Sequence, residues 1–402
     1  MITIKGGVTA PEGFKAAGVA SGVKKNGGLD LALIYSEEAC VTVGVYTKNK
    51  VKGHSLQLAM EKLKNGYSNA VIINSGCANA CVGPQGYKDA EEITEHCANR
   101  LNLLPDDVYM NSTGVIGYPL KKDLIIKGID KLTETLSDSI DGGKAAAEAI
   151  MTTDTFAKEI AVDVMVNGKH VKIGAVAKGS GMIHPDMATM ISIITTDANI
   201  SKKTLEPIFR EIVDKTYNRV SVDGDTSCDD MTVMMANGVS DETPITTESK
   251  DFDKFKNALE FVCTEIARML AKDGEGATKL IEIIAQNALT AEDAYKAVVS
   301  VAKSPLVKTA IFGEDANWGR IITAVGYSGA NFDPNLIDIY INNIKMCVNG
   351  CALPFDEEET KKALQQDQIV IKLDFKTGGY FDRMWTCDFS YDYVKINGSY
   401  RS

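Results

Sequence analysis

Residues 178–190 read Lys-Gly-Ser-Gly-Met-Ile-His-Pro-Asp-Met-Ala-Thr-Met and lead directly into the run Ile-Ser-Ile-Ile-Thr-Thr at residues 191–196. Two glycines and a proline close together predict a tight, irregular backbone that ends where a strand begins. The Thr189 hydroxyl is a candidate for self-cleavage at this point, because the small Ala188 side chain leaves room for attack on its carbonyl. From spacing alone, a plain loop followed by a strand threonine with a buried methyl is the favoured interpretation.

Cleavage between Ala188 and Thr189 would place a free α-amine on the same residue as a hydroxyl nucleophile. An α-amine has a pKa of about 7.7–8, so roughly a third of it is unprotonated near pH 7.4, whereas a lysine is almost wholly protonated there. The amine is therefore suited to take the hydroxyl proton as a general base.

Composition narrows the class of protein. The chain has 402 residues, of which 45% are hydrophobic and 24% charged, values typical of a folded globular protein and long enough for two or three packed units. The net charge of −11 argues against nucleic acid as a partner, because binding the phosphate backbone needs clustered positive charge. No apolar run is long enough to span a membrane and the first residues lack a secretory signal, so we expect a cytoplasmic protein.

The nine cysteines are an odd number spread thinly over the chain, which is not a disulfide framework. The pairs Cys77/Cys81 and Cys347/Cys351 have three-residue gaps, but with only four histidines in the chain a zinc site is a weak alternative. We expect no metal and no tightly bound cofactor.

Apolar runs alternate with helical spacing, which predicts a mixed α/β fold. Helices are predicted at residues 89–102, 121–132, 143–151, 202–216, 252–270 and 291–302. Strands are predicted at residues 70–74, 160–166, 173–177, 190–195, 232–235 and 337–341. The run Asn-Ser-Thr-Gly at residues 111–114 is typical of a turn.

The segment at residues 178–190 resembles the cleavage segment of the ornithine acetyltransferases of arginine biosynthesis. Six further segments are similar to that family and occur in the family's order along nearly the whole chain. They lie at residues 7–15, 74–81, 111–117, 150–155, 313–320 and 397–402. This resemblance outweighs the plain-loop interpretation of the Ala188–Thr189 bond.

The resemblance implies an αββα sandwich of the self-cleaving N-terminal-nucleophile type, with a smaller carboxyl-terminal α/β portion from about residue 285. Cleavage would give an alpha chain of residues 1–188 and a beta chain of residues 189–402. The resemblance further implies that two copies of each chain associate as a heterotetramer.

The implied reaction moves an acetyl group from N-acetylornithine to glutamate by a ping-pong mechanism, with Thr189 as both cleavage residue and acyl-accepting nucleophile. Thr113 and Gly114 match the family's oxyanion hole. The positions that match the family's substrate contacts are Thr152, Lys178, Glu275, Asn397 and Ser402. The Lys178 ammonium suits the substrate α-carboxylate, and Glu275 suits the ornithine ammonium.

Cys77 stands where the family pattern has an asparagine, so a hydrogen-bonding amide becomes a weakly polar thiol. Acetyl-CoA would matter as a co-substrate only in a bifunctional enzyme, and the sequence has no CoA signature that decides this. Two alternatives remain. One is an N-terminal-nucleophile aminopeptidase or amidohydrolase of the same fold, and the other is a cysteine-rich binding or redox module.

Overall fold

The structure, a computed structural model, describes residues 1–184, 190–240 and 243–399. The chain divides into two units. The first comprises Met1–Gly179, Pro185–Asn218 and Thr226–Ile266. The second comprises Ser180–His184, Arg219–Asp225 and Ala267–Ser402.

The first unit combines strands and helices in alternation. Its elements in chain order are β1 (Ile2–Ile4), β2 (Phe14–Val19), β3 (Leu31–Tyr46), α1 (His54–Lys62), β4 (Tyr67–Cys77), α2 (Pro84–Leu101), β5 (Val108–Val115), α3 (Lys122–Thr135), α4 (Ile140–Ala149), β6 (Lys158–Val166), β7 (Lys169–Lys178), β8 (Ile191–Thr196), α5 (Lys202–Lys215) and β9 (Met231–Ala236). Helix α6 (Phe252–Lys272) follows, and its residues from Ala267 onward belong to the second unit.

These strands form one nine-stranded sheet in the order β1-β6-β7-β8-β9-β3-β4-β5, with β2 also paired to β3. The β4/β5 and β8/β9 pairs are parallel and the others are antiparallel. Strand β3 is long enough to serve both halves of the sheet. Its first half pairs with β2 and β4. After a register shift between Tyr35 and Cys40, its second half pairs with β9 and with the first residues of β4.

The two halves of the sheet pack face to face through a shared buried cluster. Because alternate residues of a strand point to opposite sides, each strand of the first half also contributes to a cluster on its other side. On one side, β3, β4 and β5 share a buried cluster with α2 and α3, built from residues such as Leu33, Ile72, Ile93 and Ile129. The alternate residues, such as Ile34, Val71 and Tyr109, join a second buried cluster with residues of β7, β8 and β9.

Helices also cover the outer side of the second half-sheet. Ser192 of β8 lies between two residues of the inner cluster and so points away from it. Its hydroxyl is 3.0 Å from that of Tyr217, which follows α5 and interacts with Cys263 of α6. The predicted αββα sandwich is thereby confirmed.

The second unit contains a six-stranded sheet in the order β13-β12-β11-β14-β10-β15. Its elements in chain order are β10 (Leu280–Ala288), α7 (Ala291–Lys303), α8 (Pro305–Phe312), α9 (Trp318–Gly326), β11 (Asp338–Ile341), β12 (Ile344–Val348), β13 (Cys351–Ala352), α10 (Glu357–Leu364), β14 (Gln368–Asp374), β15 (Tyr380–Cys387) and α11 (Tyr391–Ser399). A single buried cluster packs this sheet against α7, α8 and α9.

Each predicted helix and strand has an observed counterpart, but the predicted turn at residues 111–114 is wrong. These residues belong to β5, which pairs in parallel with β4. Polar residues are accommodated in this buried strand because their side chains are hydrogen-bonded. The Asn111 Nδ2 donates to the Asp229 carbonyl at 2.8 Å, and the Ser112 hydroxyl donates to Asn74 Oδ1 at 2.6 Å.

Among the described residues, none of the helices combines the length and apolar character that a membrane crossing needs.

Candidate active site

The end of strand β5 carries the predicted oxyanion-hole residues. Gly114 has a φ of +132°, and a Cβ there would lie 2.4 Å from the carbonyl carbon of Gly76, so only glycine fits. Thr113 is buried, and its Oγ1 accepts a hydrogen bond from Lys178 Nζ at 3.3 Å. The fold thus brings together two predicted site residues that are far apart in sequence.

The Asp154 carboxylate accepts backbone hydrogen bonds at or next to two other predicted site residues. Its Oδ2 accepts the backbone N–H of Thr152 at 2.9 Å, and its Oδ1 accepts the N–H of Gly179, the neighbour of Lys178, at 2.7 Å. Its Oδ1 also accepts from Lys158 Nζ at 2.7 Å, and both of these side chains are fully buried. The backbone at Thr152 and at Lys178–Gly179 is therefore held by one group.

The charge of Asp154 is maintained against its burial. Desolvation favours the neutral acid, but the nearby charges of Lys178 and Lys158 and the hydrogen bonds outweigh it and lower the pKa of Asp154 to about 2. Sequence reasoning missed this residue. The signal was present in the run Thr-Thr-Asp-Thr at residues 152–155, where an acid precedes a lysine by four residues.

A buried acidic pair, Asp229 and Asp230, lies directly before β9. Burial raises the pKa of Asp229 to about 7, while burial and the charge of Asp229 raise the pKa of Asp230 well above its usual range. The backbone N–H of Met190 is bonded to Asp230, and the N–H of Met231 donates to the Met190 carbonyl at 3.0 Å. The pair therefore borders the residue that follows Thr189.

Each acid of this pair has an oxygen, Asp229 Oδ1 and Asp230 Oδ2, without a hydrogen-bond partner in the described ranges. Lys178 exerts an opposing charge on both. A buried acid pair with raised pKa values is a feature often found at acid–base sites. Sequence analysis did not single it out, although two adjacent acids before an apolar strand are an unusual pattern.

In the second unit, Glu275 and Asn397 are brought together across 122 residues of sequence, with Asn397 Nδ2 donating to Glu275 Oε2 at 2.7 Å. The Glu275 backbone N–H donates to the Ser180 carbonyl at 2.9 Å. A Cβ at Gly181 would lie 2.4 Å from the Glu275 carboxylate, so this glycine permits its close approach. Glu275 is buried, which a carboxylate tolerates when it is hydrogen-bonded or meets a cation.

Three predicted site residues, Ala188, Thr189 and Ser402, lie outside the described residues. The other predicted residues fall into two groups. Thr113, Gly114, Thr152 and Lys178 belong to the first unit, and Glu275 and Asn397 belong to the second.

The Cys77 thiol is buried, and its Sγ donates to the Tyr118 carbonyl at 3.1 Å. Burial raises the pKa of this thiol. All nine cysteines lie in the described part of the chain as free thiols. Across the described ranges, no group of three or more His, Cys, Asp or Glu side chains is arranged to hold a metal ion.

A cavity of about 900 Å³ between α1 and α2 contains none of the predicted site residues. Lys62 lines it, and burial lowers the pKa of this lysine to about 8. Its Nζ donates to Thr94 Oγ1, to the Pro105 carbonyl and to the Val108 carbonyl. With three acceptors for its three donors, Lys62 holds the surrounding backbone together.

The sequence matches the model of the ArgJ family over residues 15–402. The chain belongs to the ArgJ family. The family expected from the seven similar segments is thereby confirmed.

The full-length similarity to curated ArgJ proteins is high. The chain is 49% identical over 406 residues to the arginine biosynthesis bifunctional protein ArgJ of Caldanaerobacter subterraneus subsp. tengcongensis, covering 100% of both chains. It is 49% identical over 393 residues to ArgJ 1 of Clostridium acetobutylicum, covering 97% of this chain and 96% of that one. A crystal structure of ArgJ from Bacillus halodurans is 43% identical with a TM-score of 0.51, covering 52% of this chain and 99% of that chain.

Proposed function

We propose that this chain transfers the acetyl group of N-acetylornithine to glutamate, giving ornithine and N-acetylglutamate in arginine biosynthesis. Family membership supports the reaction class. The observation that carries the proposal is the 3.3 Å contact between Lys178 Nζ and Thr113 Oγ1, which joins a cation suited to a carboxylate with the residue matching the oxyanion hole.

The first step is maturation. The Thr189 hydroxyl attacks the Ala188 carbonyl, the peptide C–N bond breaks, and its nitrogen takes up a proton to become the Thr189 amine. Water then hydrolyses the ester between Ala188 and Thr189. The products are the alpha chain of residues 1–188 and the beta chain of residues 189–402.

Two observations support this maturation. Strand β7 ends at Lys178 and pairs directly with β8, with Lys178 opposite Ile191, so the proposed cleavage lies in the connection between paired strands. Both chains would thus remain joined through one sheet. The solved Bacillus halodurans chain, matched over 99% of its own length, corresponds to about half of this chain, as cleavage near the middle would produce.

In the transfer reaction, the Thr189 hydroxyl attacks the acetyl carbonyl while its own α-amine takes the proton. Thr113 and Gly114 stabilise the oxyanion of the tetrahedral intermediate. Ornithine leaves with a proton on its amine, the acetyl group stays on Thr189 as an ester, and the glutamate amine then accepts it. Lys178 binds the substrate α-carboxylate, Glu275 binds the ornithine ammonium, and Thr152, Asn397 and Ser402 supply hydrogen bonds.

The relatives are named bifunctional. We extend the proposal to a second reaction in which the Thr189 hydroxyl attacks the thioester of acetyl-CoA, a co-substrate, the C–S bond breaks, and CoA leaves as the protonated thiol. The glutamate amine again accepts the acetyl group from Thr189. We also propose a cytoplasmic location and an assembly of two alpha and two beta chains.

The test is a denaturing gel with amino-terminal sequencing of the purified protein, beside Thr189→Ala and Thr189→Ser. Wild type should give two bands, one beginning at Thr189. The alanine variant should stay whole and inactive, and the serine variant should keep some cleavage because it keeps a hydroxyl. A wild-type chain that remains whole yet transfers acetyl groups contradicts the mechanism.

The hydrolase alternative is tested separately by measuring ornithine release from N-acetylornithine with and without glutamate. A transferase needs the acceptor for turnover beyond the first acetylation. Equal turnover without glutamate would exclude the transferase assignment.

A further inference from the structure

The residues directly before the proposed cleavage segment, Ser180–His184, belong to the second unit, although the chain up to Gly179 belongs to the first. One carboxylate holds the middle of this stretch. Asp223 Oδ2 accepts the backbone N–H of Met182 at 2.6 Å, and Asp223 Oδ1 accepts the N–H of Ile183 at 3.0 Å. Hydrogen bonds to a charged acceptor are stronger than those between neutral groups.

The backbone that Asp223 holds is itself unfavourable. Met182 has a φ of +57°, in the left-handed region that costs a residue with a Cβ about 1 kcal/mol or more. This conformation turns two successive N–H groups toward one anion, which is a recognised anion-binding arrangement. Asp223 therefore stabilises a turn that the Met182 side chain disfavours.

Neighbours of Asp223 hold the same stretch. The Val222 N–H donates to the Ile183 carbonyl at 2.8 Å. The Ser221 hydroxyl lies 3.3 Å from that carbonyl and 3.1 Å from His184 Nδ1. Residues 221–223 thus bind three consecutive residues, and the last of them, His184, immediately precedes residues 185–189.

Other groups also face the Asp223 carboxylate. Its Oδ1 accepts the Asp225 N–H at 3.3 Å, and the Tyr393 hydroxyl lies 3.5 Å from its Oδ2. Burial raises the pKa of Asp223, and the backbone N–H groups oppose that rise. Nearby Asp225 contributes a repulsive charge, so the donors from the Ser180–His184 stretch are an important source of stabilisation for this carboxylate.

The other end of residues 185–189 is anchored within the first unit, where the Met231 N–H donates to the Met190 carbonyl at 3.0 Å. An intramolecular attack is fast when few conformations compete with the reactive one, so an anchor on the residues that lead into the proposed cleavage segment favours cleavage. Releasing the hold on Met182 and Ile183 would therefore be expected to slow the attack.

We propose that Asp223 is a positioning residue for self-cleavage, anchoring Met182 and Ile183 so that the following segment can reach the geometry in which the Thr189 hydroxyl attacks the Ala188 carbonyl. This inference rests on the cleavage step of the proposed function. Asp223 takes no proton and forms no bond to the reacting atoms.

The experiment follows cleavage of the full chain over time after cell-free synthesis, using denaturing gels. Asp223→Asn keeps the shape of the side chain and removes its charge, and Asp223→Glu keeps the charge. Asp333→Asn is the matched control, because it makes the same chemical change on an exposed side chain of the second unit that also accepts a backbone N–H. We expect Asp223→Asn to slow cleavage about 10- to 100-fold, as expected for loss of hydrogen bonds to a charged group, and Asp333→Asn to cleave at the wild-type rate.

The Asp223→Glu variant distinguishes an anchor that depends on the negative charge from a side chain that only fills space. If the carboxylate is the anchor, Asp223→Glu cleaves faster than Asp223→Asn, whereas a packing role reverses that order and overturns the proposal. The unfolding midpoint of uncleaved Thr189→Ala is compared with that of the double variant Thr189→Ala/Asp223→Asn. Midpoints within about 5 °C support the proposal, and a larger fall attributes slow cleavage to general loss of the fold and overturns it.

Failure of the proposed role of Asp223 and failure of the proposed function would give different results. Wild type and Asp223→Asn cleaving at equal rates would refute the role of Asp223 and leave the proposed function intact. A wild-type chain that never cleaves would remove the cleavage step of the proposed function itself.

Discussion

Asp154 organises the first-unit part of the candidate site from a fully buried position. It accepts hydrogen bonds from the backbone at Thr152 and Gly179 and pairs with buried Lys158. A buried ion pair is weak evidence for stability, but removing one partner leaves an uncompensated buried charge. Asp154 therefore links the positions of two proposed substrate-binding residues to one electrostatic interaction.

We predict that Asp154→Asn lowers kcat/KM for acetyl transfer by at least about tenfold and destabilises the fold by about 3–5 kcal/mol, because Lys158 loses its counter-charge. Steady-state kinetics and denaturant unfolding measure the two effects. Asp163→Asn, which removes a surface pair with His170, is the control and should cost at most about 1 kcal/mol. Equal effects of the two variants would contradict a special role for Asp154.

Gly114 offers a second test on a single residue. Gly114→Ala should reduce acetyl transfer about 10²- to 10³-fold, because a Cβ overlaps the Gly76 backbone and displaces the N–H of the proposed oxyanion hole. Gly117→Ala is a matched control, since Gly117 also has a positive φ but has open space around it. The measurement is kcat/KM on fully cleaved protein. If Gly114→Ala is as active as Gly117→Ala, the oxyanion-hole assignment is wrong.

At the scale of elements, helix α4 packs unusually close to strand β2. A Cβ at Gly18 of β2 would lie 2.0 Å from the Ala145 carbonyl oxygen of α4, and backbone atoms cannot move aside as a flexible side chain can. Helix α4 ends at Ala149, just before Thr152 and Asp154. The close contact between β2 and α4 therefore fixes the position of the helix end from which the chain continues to Thr152 and Asp154.

We predict that Gly18→Ala destabilises the protein by about 3 kcal/mol through this overlap. Gly379→Ala is the control, because nothing lies within 4 Å of its Cβ position. Denaturant unfolding of both variants in the uncleaved Thr189→Ala background gives the comparison. A Gly18→Ala variant as stable as Gly379→Ala would show that α4 can shift away from β2 at little cost.

At the scale of the whole molecule, the buried acids should make stability depend on pH in opposite directions. Asp154 has a lowered pKa of about 2, so its contribution is present above the unfolded pKa near 4 and is lost as the pH falls toward 2. Asp229 has a raised pKa of about 7, so its contribution is full below the unfolded pKa and is lost as the pH rises through 7.

In the wild type, loss of the Asp229 proton should lower the free energy of unfolding between about pH 4 and pH 7. We predict that Asp229→Asn reduces this decrease by on the order of 4 kcal/mol. The measurement is denaturant unfolding at several pH values in the Thr189→Ala background. The exposed Asp333→Asn variant should keep the wild-type slope. An unchanged slope in Asp229→Asn would mean that Asp229 is ionised throughout that range.

The amino-acid sequence by itself determined the family, the mixed α/β class and the strands on either side of the proposed cleavage segment. These features depend on short motifs and on hydrophobic periodicity, which act between residues close together in the chain. The same local signals misassigned residues 111–114, because the hydrogen bonds that make a polar strand acceptable in a core come from distant residues.

Only the tertiary structure decided which buried charges support the candidate site. The pairing of Asp154 with the Gly179 N–H, the hold of Asp223 on Met182, and the bond between Asn397 and Glu275 each join residues 25 or more positions apart. Such contacts exist only after folding has brought distant parts of the chain together, and those that are buried are strengthened by the exclusion of water. For that reason a local pattern yields the residues proposed to carry chemistry, whereas the contacts that position them are seen only in the folded molecule.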